Sequence, residues 1–199
     1  MSYPNSLSNL INCLKQLPSI GEKTAERLAF ALLSKDEEYI KLFSSSLLDI
    51  KQKIKRCEIC GNITENDICE ICNDNSRNSD IICVIEDAKY INLLEKMKCY
   101  NGKYHVLNGL ISPMNGISPD DINIKSLIQR IENENINEII LAISPTLEGQ
   151  TTSLYISKLL EDKNIIISKI AYGIPLGADI EYLDPMTFSM AIENRNKIS

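Results

Sequence analysis

Four cysteines within sixteen residues place the strongest constraint on this chain. They form the pattern Cys57-x2-Cys60-x8-Cys69-x2-Cys72. Each C-x2-C pair can turn two thiolates toward one ion, and two such pairs complete a tetrahedral shell that suits Zn²⁺. Four protein ligands leave no open position for water, so we expect one structural zinc ion per chain, with Gly61 helping the turn after the first pair.

Two other interpretations of the cysteine cluster stay open at this point: an iron–sulfur cluster, or a redox-active C-x2-C pair. A redox pair usually sits at a helix N-terminus next to a βαβ unit, and we expect neither pair here to do so. The chain has seven cysteines and begins without a secretory signal, so a disulfide framework is not indicated. We therefore expect a structural metal and a reducing, cytoplasmic setting.

Length and charge narrow the class of protein. Within 199 residues no apolar run approaches the ~20 residues that a membrane-spanning helix needs, so no membrane association is expected. The net charge is -6, yet residues 1–56 hold nine basic and six acidic side chains, whereas residues 57–199 hold twelve basic and twenty-one acidic ones. This asymmetry favours a nucleic-acid-facing end joined to an end that faces metal or protein, and chance surface variation is the alternative.

The first third of the chain carries helical periodicity. Apolar residues recur every three or four positions over 5–17, and Pro18 ends this predicted helix. The segment EKTAERLAFALL, residues 22–33, predicts a second helix after a short turn that contains Gly21. Two helices joined in this way form a helix-hairpin-helix pattern, with a plain helical hairpin and solvated charges as the alternative.

The predicted hairpin suits DNA binding that does not read sequence. The N-terminus of its second helix would present free backbone N–H groups to a phosphate oxygen. Lys23 and Arg27 lie four residues apart, so they share one face of that helix. A typical hairpin has Gly-x-Gly in its turn, and here Ser19 takes the first position, where we expect it to act as an N-cap.

A third helix is predicted over residues 36–54, with Asp36 as its N-cap. A basic run at its end either faces DNA or complements the helix dipole. The predicted apolar face comprises Ile40, Phe43, Leu47, Ile50 and Ile54, and the basic run comprises Lys51, Lys53, Lys55 and Arg56.

From residue 80 onward, apolar runs alternate with helical segments. The predicted strands are IICVIE, YHVL, EIILAI and IIISKI. This alternation predicts a parallel sheet flanked by helices, with its strands buried on both faces. Loops at the carboxyl ends of such strands gather at one edge, which places Glu86, Ser144–Glu148 and the loop after Ile170 together.

A glutamate that ends the first strand of an α/β domain begins the pattern of the Toprim domain, and Glu86 with Asp87 takes this position. A catalytic Toprim domain adds an Asp-x-Asp after a later strand, and the carboxylates together hold Mg²⁺ for phosphoryl transfer. Here Ser144 stands where that pair is expected, which argues against nuclease, primase or topoisomerase chemistry. Apposition of Asp179 and Glu181 with Glu86 is a further hypothesis.

The ordered hairpin, four-cysteine motif and degenerate Toprim domain closely resemble the RecR family of bacterial recombination mediators over nearly the whole chain. The resemblance is carried by LPSIGEKTAERLAFALL, VIEDAKYINLLEK, YHVLNGLISPMNGISPDD, SPTLEGQTTSLYISKLL and GIPLGADIEYLD, besides the cysteines. It implies a non-enzymatic DNA repair protein that forms ring-shaped homotetramers. It also implies RecO and RecF as partners in loading the RecA recombinase on gapped DNA coated by SSB.

The resemblance implies roles for individual residues as well. Lys23 and Arg27 match basic positions that contact DNA, and Glu148 falls on an acidic surface that engages RecO. The zinc ligands match Cys57, Cys60, Cys69 and Cys72. The chain departs from the family pattern at Ser19 and Asn108, where Gly is usual, and at Ala88, Ser144, Gln150, Tyr172 and Ala178.

We therefore expect a multidomain α+β fold in which residues 1–54 are a helix-hairpin-helix DNA-binding region and residues 55–78 a four-cysteine zinc finger. Residues 79–175 are expected to form an α/β Toprim domain with a parallel sheet, and residues 176–199 a segment that contacts another copy. The expected function is direct binding of gapped, single- or double-stranded DNA. The alternatives are a Toprim-type Mg²⁺-dependent enzyme and a protein adaptor without DNA contact.

Overall fold

The structure, a computed structural model, describes residues 3–195 and 197. The chain divides into two compact units, Met1–Ile54 and Lys55–Ser199. Residues 196, 198 and 199 of the predicted segment 176–199 lie outside the described residues. No helix in the described part of the chain combines the length and the apolar character that crossing a membrane requires.

The first unit consists of three helices: α1 (Asn5–Lys15), α2 (Glu22–Leu33) and α3 (Glu37–Lys53). Their bounds agree with the predicted helices, and the Asp36 side chain caps α3 by accepting the backbone N–H of Tyr39 at 2.7 Å. The small core of this unit lies between α1 and α2 and contains Ile11, Ala25 and Ala29. Because two of these side chains are single methyl groups, α1 and α2 approach closely.

The predicted apolar face of α3 is exposed. No residue of this helix is buried, and Leu47 and Ile50 on the predicted face are 54% and 53% exposed. The core of the unit contains no residue of α3, so its apolar residues face outward. An amphipathic helix with an uncovered apolar face is a typical feature of a chain that associates with another molecule.

The second unit begins with a small metal-binding module and continues into an α/β domain. The module contains β1 (Lys55–Arg56), β2 (Ile63–Thr64) and α4 (Glu70–Asn73). The α/β domain contains β3 (Asn78–Ile85), α5 (Lys89–Met97), β4 (Gly102–Val106), α6 (Ile124–Asn133), β5 (Glu138–Ala142), α7 (Leu147–Leu159) and β6 (Ile166–Lys169), followed by α8 (Pro185–Glu193). Three short 3-10 helices are Pro113–Asn115, Pro119–Asp121 and Ile180–Tyr182.

The four strands of the α/β domain form one parallel sheet in the order β4-β3-β5-β6. At its carboxyl edge Ile85 pairs with Val106 on one side and with Ala142 on the other. Residues that follow β3 and β5 therefore emerge next to each other. The predicted α/β fold class is confirmed, but burial on both faces fails for β6, because this strand lies at the edge of the sheet.

Alternate side chains of β3 face the two layers of the domain core. Ile82 and Val84 pack in a large cluster with apolar residues of α6, β5 and α7. Cys83 and Ile85 point the other way and pack with Ile91 of α5. This alternation is the period-two geometry of a strand, and it fixes which residues of the following loop face the carboxyl edge.

Candidate metal centre and nucleic-acid interface

The four cysteines of the metal-binding module converge on one point. Their Sγ atoms all lie within 4.8 Å of one another, and those of Cys60 and Cys69 are 3.6 Å apart. Zinc–sulfur bonds of about 2.3 Å put the sulfurs of a tetrahedral site about 3.8 Å apart, so the cluster fits Zn²⁺. Contacts with the Cys69 and Cys72 thiols, together with burial, raise the pKa of the Cys60 thiol. A divalent cation would offset the mutual repulsion of the four thiolates, because it attracts all of them.

Local backbone bonds shape the two halves of this module. After the first pair, the N–H of Gly61 donates to the carbonyl of Cys57 at 2.9 Å, and Gly61 adopts a φ of 74°, which favours glycine. The second pair starts at Cys69, which is the N-cap residue of α4. The expectation that neither C-x2-C pair lies at a helix N-terminus is therefore wrong for the second pair. This helix is only a single turn, and its thiols face the other pair.

The turn between α1 and α2 differs from the prediction at Ser19. This serine has a φ of 63°, in the left-handed region, and it is not the N-cap of α2. The N-cap is Gly21, which makes no side-chain hydrogen bond to the helix. A glycine at position 19 would adopt this backbone conformation at lower cost, because it has no Cβ to clash with the neighbouring carbonyl.

The N-terminus of α2 is open. A Cβ added at Gly21 would meet nothing within 4 Å, so another molecule can approach the backbone there. Lys23 and Arg27 are both exposed on α2, and among the described residues neither forms a salt bridge. The first two turns of α2 therefore combine free backbone N–H groups with two cations on one face that form no salt bridge among the described residues.

The basic run after α3 does not form a continuous cationic surface. Lys53 pairs with Asp49 at 2.8 Å, and Lys55 pairs with Asp67. Lys55 and Arg56 belong to β1 rather than to the helix, because the backbone becomes extended at Ile54. The helix-end explanation therefore applies only to Lys51 and Lys53, and DNA contact by this run stays a prediction.

At the carboxyl edge of the sheet, Ser144 holds the side chain of Glu86. The backbone N–H of Ser144 donates to Oε2 at 2.9 Å, and its hydroxyl donates to Oε1 at 2.6 Å. Both carboxylate oxygens are thus bound by the residue that stands where an acidic pair was expected.

Tyr172 lies at the same edge of the sheet. Its hydroxyl donates to the carbonyl of Ile143 at 3.2 Å. Burial raises the pKa of Tyr172, and the negative charge of Glu86 adds to this shift.

Next to this pair of residues lies a cleft of about 390 Å³ with side chains of both charges. Glu86, Asp87 and Glu148 line it together with Arg56 and Lys89. The backbone N–H of Lys89 donates to Asp87 at 2.9 Å and the Lys89 ammonium lies 3.2 Å from it, and both contacts lower the pKa of Asp87. Three carboxylates and two cations in one open cleft form a surface suited to a charged protein partner.

The carboxylates of this cleft do not form a metal site. In the described residues, the only group of three or more metal-ligating side chains with close ligand atoms is the four-cysteine cluster. Asp179 does not join Glu86, because its side chain caps the short helix Ile180–Tyr182 by accepting the N–H of Glu181 at 3.2 Å. The hypothesis that Asp179 and Glu181 complete the Glu86 site is therefore wrong.

The positions of two basic side chains, Lys103 and Arg56, were not predicted from the sequence. Lys103 places its ammonium at the second cysteine pair, although its only signal was a lysine in an apolar strand. Arg56 lines the Glu86 cleft, although the sequence indicated only DNA or a helix end for it. His105 on β4 is also buried, and its Nδ1 has no hydrogen-bond partner among the described residues.

Comparison with known proteins places these features in one family. Family models match residues 7–51 (the RecR helix-hairpin-helix), 54–74 (the RecR zinc finger domain with four cysteines), 80–171 (the Toprim domain) and 173–196 (the RecR C-terminal region). A Recombination protein RecR from Staphylococcus aureus is 48% identical over 198 residues, covering 100% of both chains. One from Natranaerobius thermophilus is 45% identical over 197 residues, covering 99% of both. The zinc-finger match and the cysteine cluster confirm the predicted structural zinc ion.

Proposed function

Because this chain belongs to the RecR family and is a recombination protein, we propose that it acts in DNA repair by binding DNA directly through its first helical unit. The observation that carries this proposal is the open N-terminus of α2, where Lys23 and Arg27 form no salt bridge within the described chain. Such a surface contacts phosphates without reading bases. The proposal therefore includes gapped, single-stranded and double-stranded DNA as ligands.

Fluorescence anisotropy of a labelled gapped duplex, measured over a salt series with zinc-loaded protein, tests direct DNA binding. We expect saturable binding that weakens steeply with salt, and a loss of at least tenfold in affinity in Lys23→Ala/Arg27→Ala. The matched control is Lys35→Ala/Lys41→Ala, which removes the same charge from exposed positions of the same unit and should keep binding. Absence of binding at low salt would instead favour the adaptor, with DNA contact supplied by a partner.

The proposed assembly is a homotetramer. Each chain exposes two separate apolar surfaces: the face of α3 with Leu47 and Ile50, and the C-terminal segment with Leu176, Tyr182 and Met186. Two self-complementary surfaces per chain suffice to close a ring of four. Weak phosphate contacts on four subunits then add up to useful avidity on DNA.

Light scattering coupled to gel filtration tests this assembly. We expect four chains for the native sequence and two chains for each single-surface variant, Leu47→Glu/Ile50→Glu or Tyr182→Glu/Met186→Glu. The combined variant should be a monomer. A monomeric native protein at micromolar concentration would contradict the tetramer.

We propose that the cleft with Glu148 binds RecO, and that the complex with RecO and RecF loads RecA on gapped DNA coated by SSB. The half-buried Glu148 lines the same mixed-charge cleft as Glu86, which supports a role in protein contact. Binding of RecO by Glu148→Lys should fall at least tenfold in surface plasmon resonance, whereas Glu161→Lys, outside the cleft on an exposed turn, should leave it unchanged. The proposed zinc ligands Cys57, Cys60, Cys69 and Cys72 require reduced thiols, so the proposal includes a cytoplasmic location.

The same geometry supports a non-enzymatic role. Glu86 has both carboxylate oxygens bound by Ser144, and Asp87 is paired with Lys89, so a Mg²⁺ ion would have to displace these partners. We expect purified protein to leave labelled DNA intact in Mg²⁺ and Mn²⁺. Cleavage that disappears in Glu86→Gln would establish the Toprim enzyme in place of this proposal.

A further inference from the structure

A buried lysine of the sheet reaches the zinc module. Lys103 lies on β4 and is only 6% exposed. Its ammonium donates to the carbonyls of Ile71 at 2.8 Å, Cys72 at 3.1 Å and Asp74 at 2.5 Å. In the described part of the chain it forms no salt bridge. Burying an ammonium is costly, and the nearby Asp74 carboxylate, whose pKa Lys103 helps to lower after the larger effect of its bonds to Ser76, offsets part of that cost without a direct ion pair.

The three acceptors surround the second cysteine pair. Ile71 and Cys72 lie on the single turn α4, and Asp74 is its C-cap. Two further bonds hold this turn: the Asn73 N–H donates to the Cys69 carbonyl at 3.0 Å, and the Cys69 N–H donates to the Cys57 sulfur at 3.3 Å. The ammonium therefore fixes the backbone that carries one zinc ligand, on a turn too short to be stable alone.

The first cysteine pair is attached to the same strand by a different bond. The backbone N–H of Val106, the last residue of β4, donates to the carbonyl of Cys60 at 2.7 Å. Both halves of the module are thus fixed to β4, one by a neutral backbone bond and the other by a charged side chain. A zinc ion with four thiolates carries a net charge of about -2. The Lys103 ammonium lies 3.1 Å from the backbone carbonyl oxygen of Cys72, one of the four cysteines.

We propose that Lys103 is a positioning residue of the zinc site: its ammonium holds the Cys69–Cys72 turn in place and offsets the negative charge of the zinc–thiolate centre. When a group that hydrogen-bonds to the ligand-bearing residues is removed, metal affinity typically falls by 10–100-fold. Lys103 is buried and donates to backbone carbonyls of the zinc module, so its effect should be measurable as retention of zinc.

Zinc release into excess chelator, followed by the colour of 4-(2-pyridylazo)resorcinol, tests the proposal on full-length protein. We expect Lys103→Met to release zinc at least tenfold faster than the native protein, and Lys103→Arg, which retains the charge, to stay within threefold. The matched control is Lys125→Met, which removes an exposed lysine that pairs with Asp120 and should leave the rate unchanged. Circular dichroism before chelation reports whether each variant is folded.

Two results would overturn the proposal. The first is a folded Lys103→Met protein that releases zinc at the native rate, and the second is an equal acceleration in Lys125→Met. If Lys103→Met does not fold, Lys103→Gln is measured in its place, because glutamine keeps hydrogen-bond donors and lacks the positive charge. A Lys103→Gln protein that retains zinc as long as Lys103→Arg would show that the charge has no role.

Discussion

We expect the buried side chain of His105 to lower the free energy of unfolding in acid. It is fully buried on β4, its Nε2 lies 2.8 Å from the carbonyl of Asn123, and its Nδ1 has no partner among the described residues. Burial lowers the pKa of His105 from 6.5 to about 4, while the Asn123 carbonyl opposes this shift and the charge of Arg130 adds to it. The imidazole is therefore neutral in the folded protein, and Nε2–H donates to Asn123.

The direction of the change in unfolding free energy with pH depends on whether the folded or the unfolded chain binds the proton of His105 more tightly. The unfolded chain binds a proton at His105 near pH 6.5 and the folded chain only near pH 4, so the free energy of unfolding decreases as the pH falls through this window. Above pH 6.5 the contribution is fully present. At 1.36 kcal/mol per pKa unit, the loss is about 2 kcal/mol by pH 5 and about 3 kcal/mol by pH 4.

Two measurements check this prediction. The chain has a single histidine, so the imidazole C–H resonance of untagged protein needs no assignment, and its chemical shift should stay constant from pH 7.5 to pH 5. Urea unfolding in excess zinc should show that the native protein loses about 2 kcal/mol more than His105→Phe over this range. The variant is the control for zinc release and carboxylate protonation, which affect both proteins.

A resonance that titrates with a midpoint near 6.5 would refute the buried neutral imidazole. So would equal losses of unfolding free energy in the native protein and His105→Phe. The variant also replaces the unpaired Nδ1 with carbon, so at pH 7.5 its stability should stay within about 1.5 kcal/mol of the native protein despite the lost hydrogen bond to Asn123.

Three further predictions concern the turn, the metal module and the carboxyl edge of the sheet. Ser19→Gly should raise the unfolding free energy of the first unit by about 1 kcal/mol, because its φ of 63° is strained for serine; an unchanged or lower midpoint in thermal unfolding would contradict this. Removal of zinc by a chelator should abolish hydrogen-exchange protection in residues 55–74 and leave α2 protected, since these four cysteines converge in the second unit; persistent protection there would be unexpected. Gly149→Ala should destabilise the protein by about 2 kcal/mol in urea, because its Cβ would lie 1.9 Å from the carbonyl oxygen of Ser144. Gly173→Ala, whose Cβ would meet nothing within 4 Å, is the matched control, and equal effects of the two substitutions would refute the steric argument.

Local features of this protein could be predicted from the sequence. The bounds of α2 agree with the prediction because helical periodicity and the preceding glycine act within a few residues. The cysteine cluster was recognisable for the same reason, since each pair places two thiols on one turn. The parallel sheet followed from the alternation of apolar runs and helices, and its carboxyl edge correctly brought the loop after β3 next to the loop after β5.

The predictions failed where the outcome depended on what another segment supplies. Ser19 was expected to be an N-cap, yet the tight turn into α2 requires a left-handed residue there and leaves the cap to Gly21. The apolar face of α3 was correctly identified, but its periodicity does not tell whether the same chain covers it. Only the three-dimensional structure shows that this face is uncovered, because the core of the first unit lies between α1 and α2 and contains no residue of α3.

The sequence by itself determined the cysteine cluster, the helices and the alternation of strands with helices along the chain, because these depend on residues close together in the chain. The tertiary structure decided how polar groups are paired. Ser144 lies fifty-eight positions after Glu86, and Lys103 lies thirty-one positions after Cys72, on the turn that it holds. Residues so far apart meet only because parallel strands bring their ends to one edge and because β4 supports the zinc module, and no local pattern encodes such a meeting.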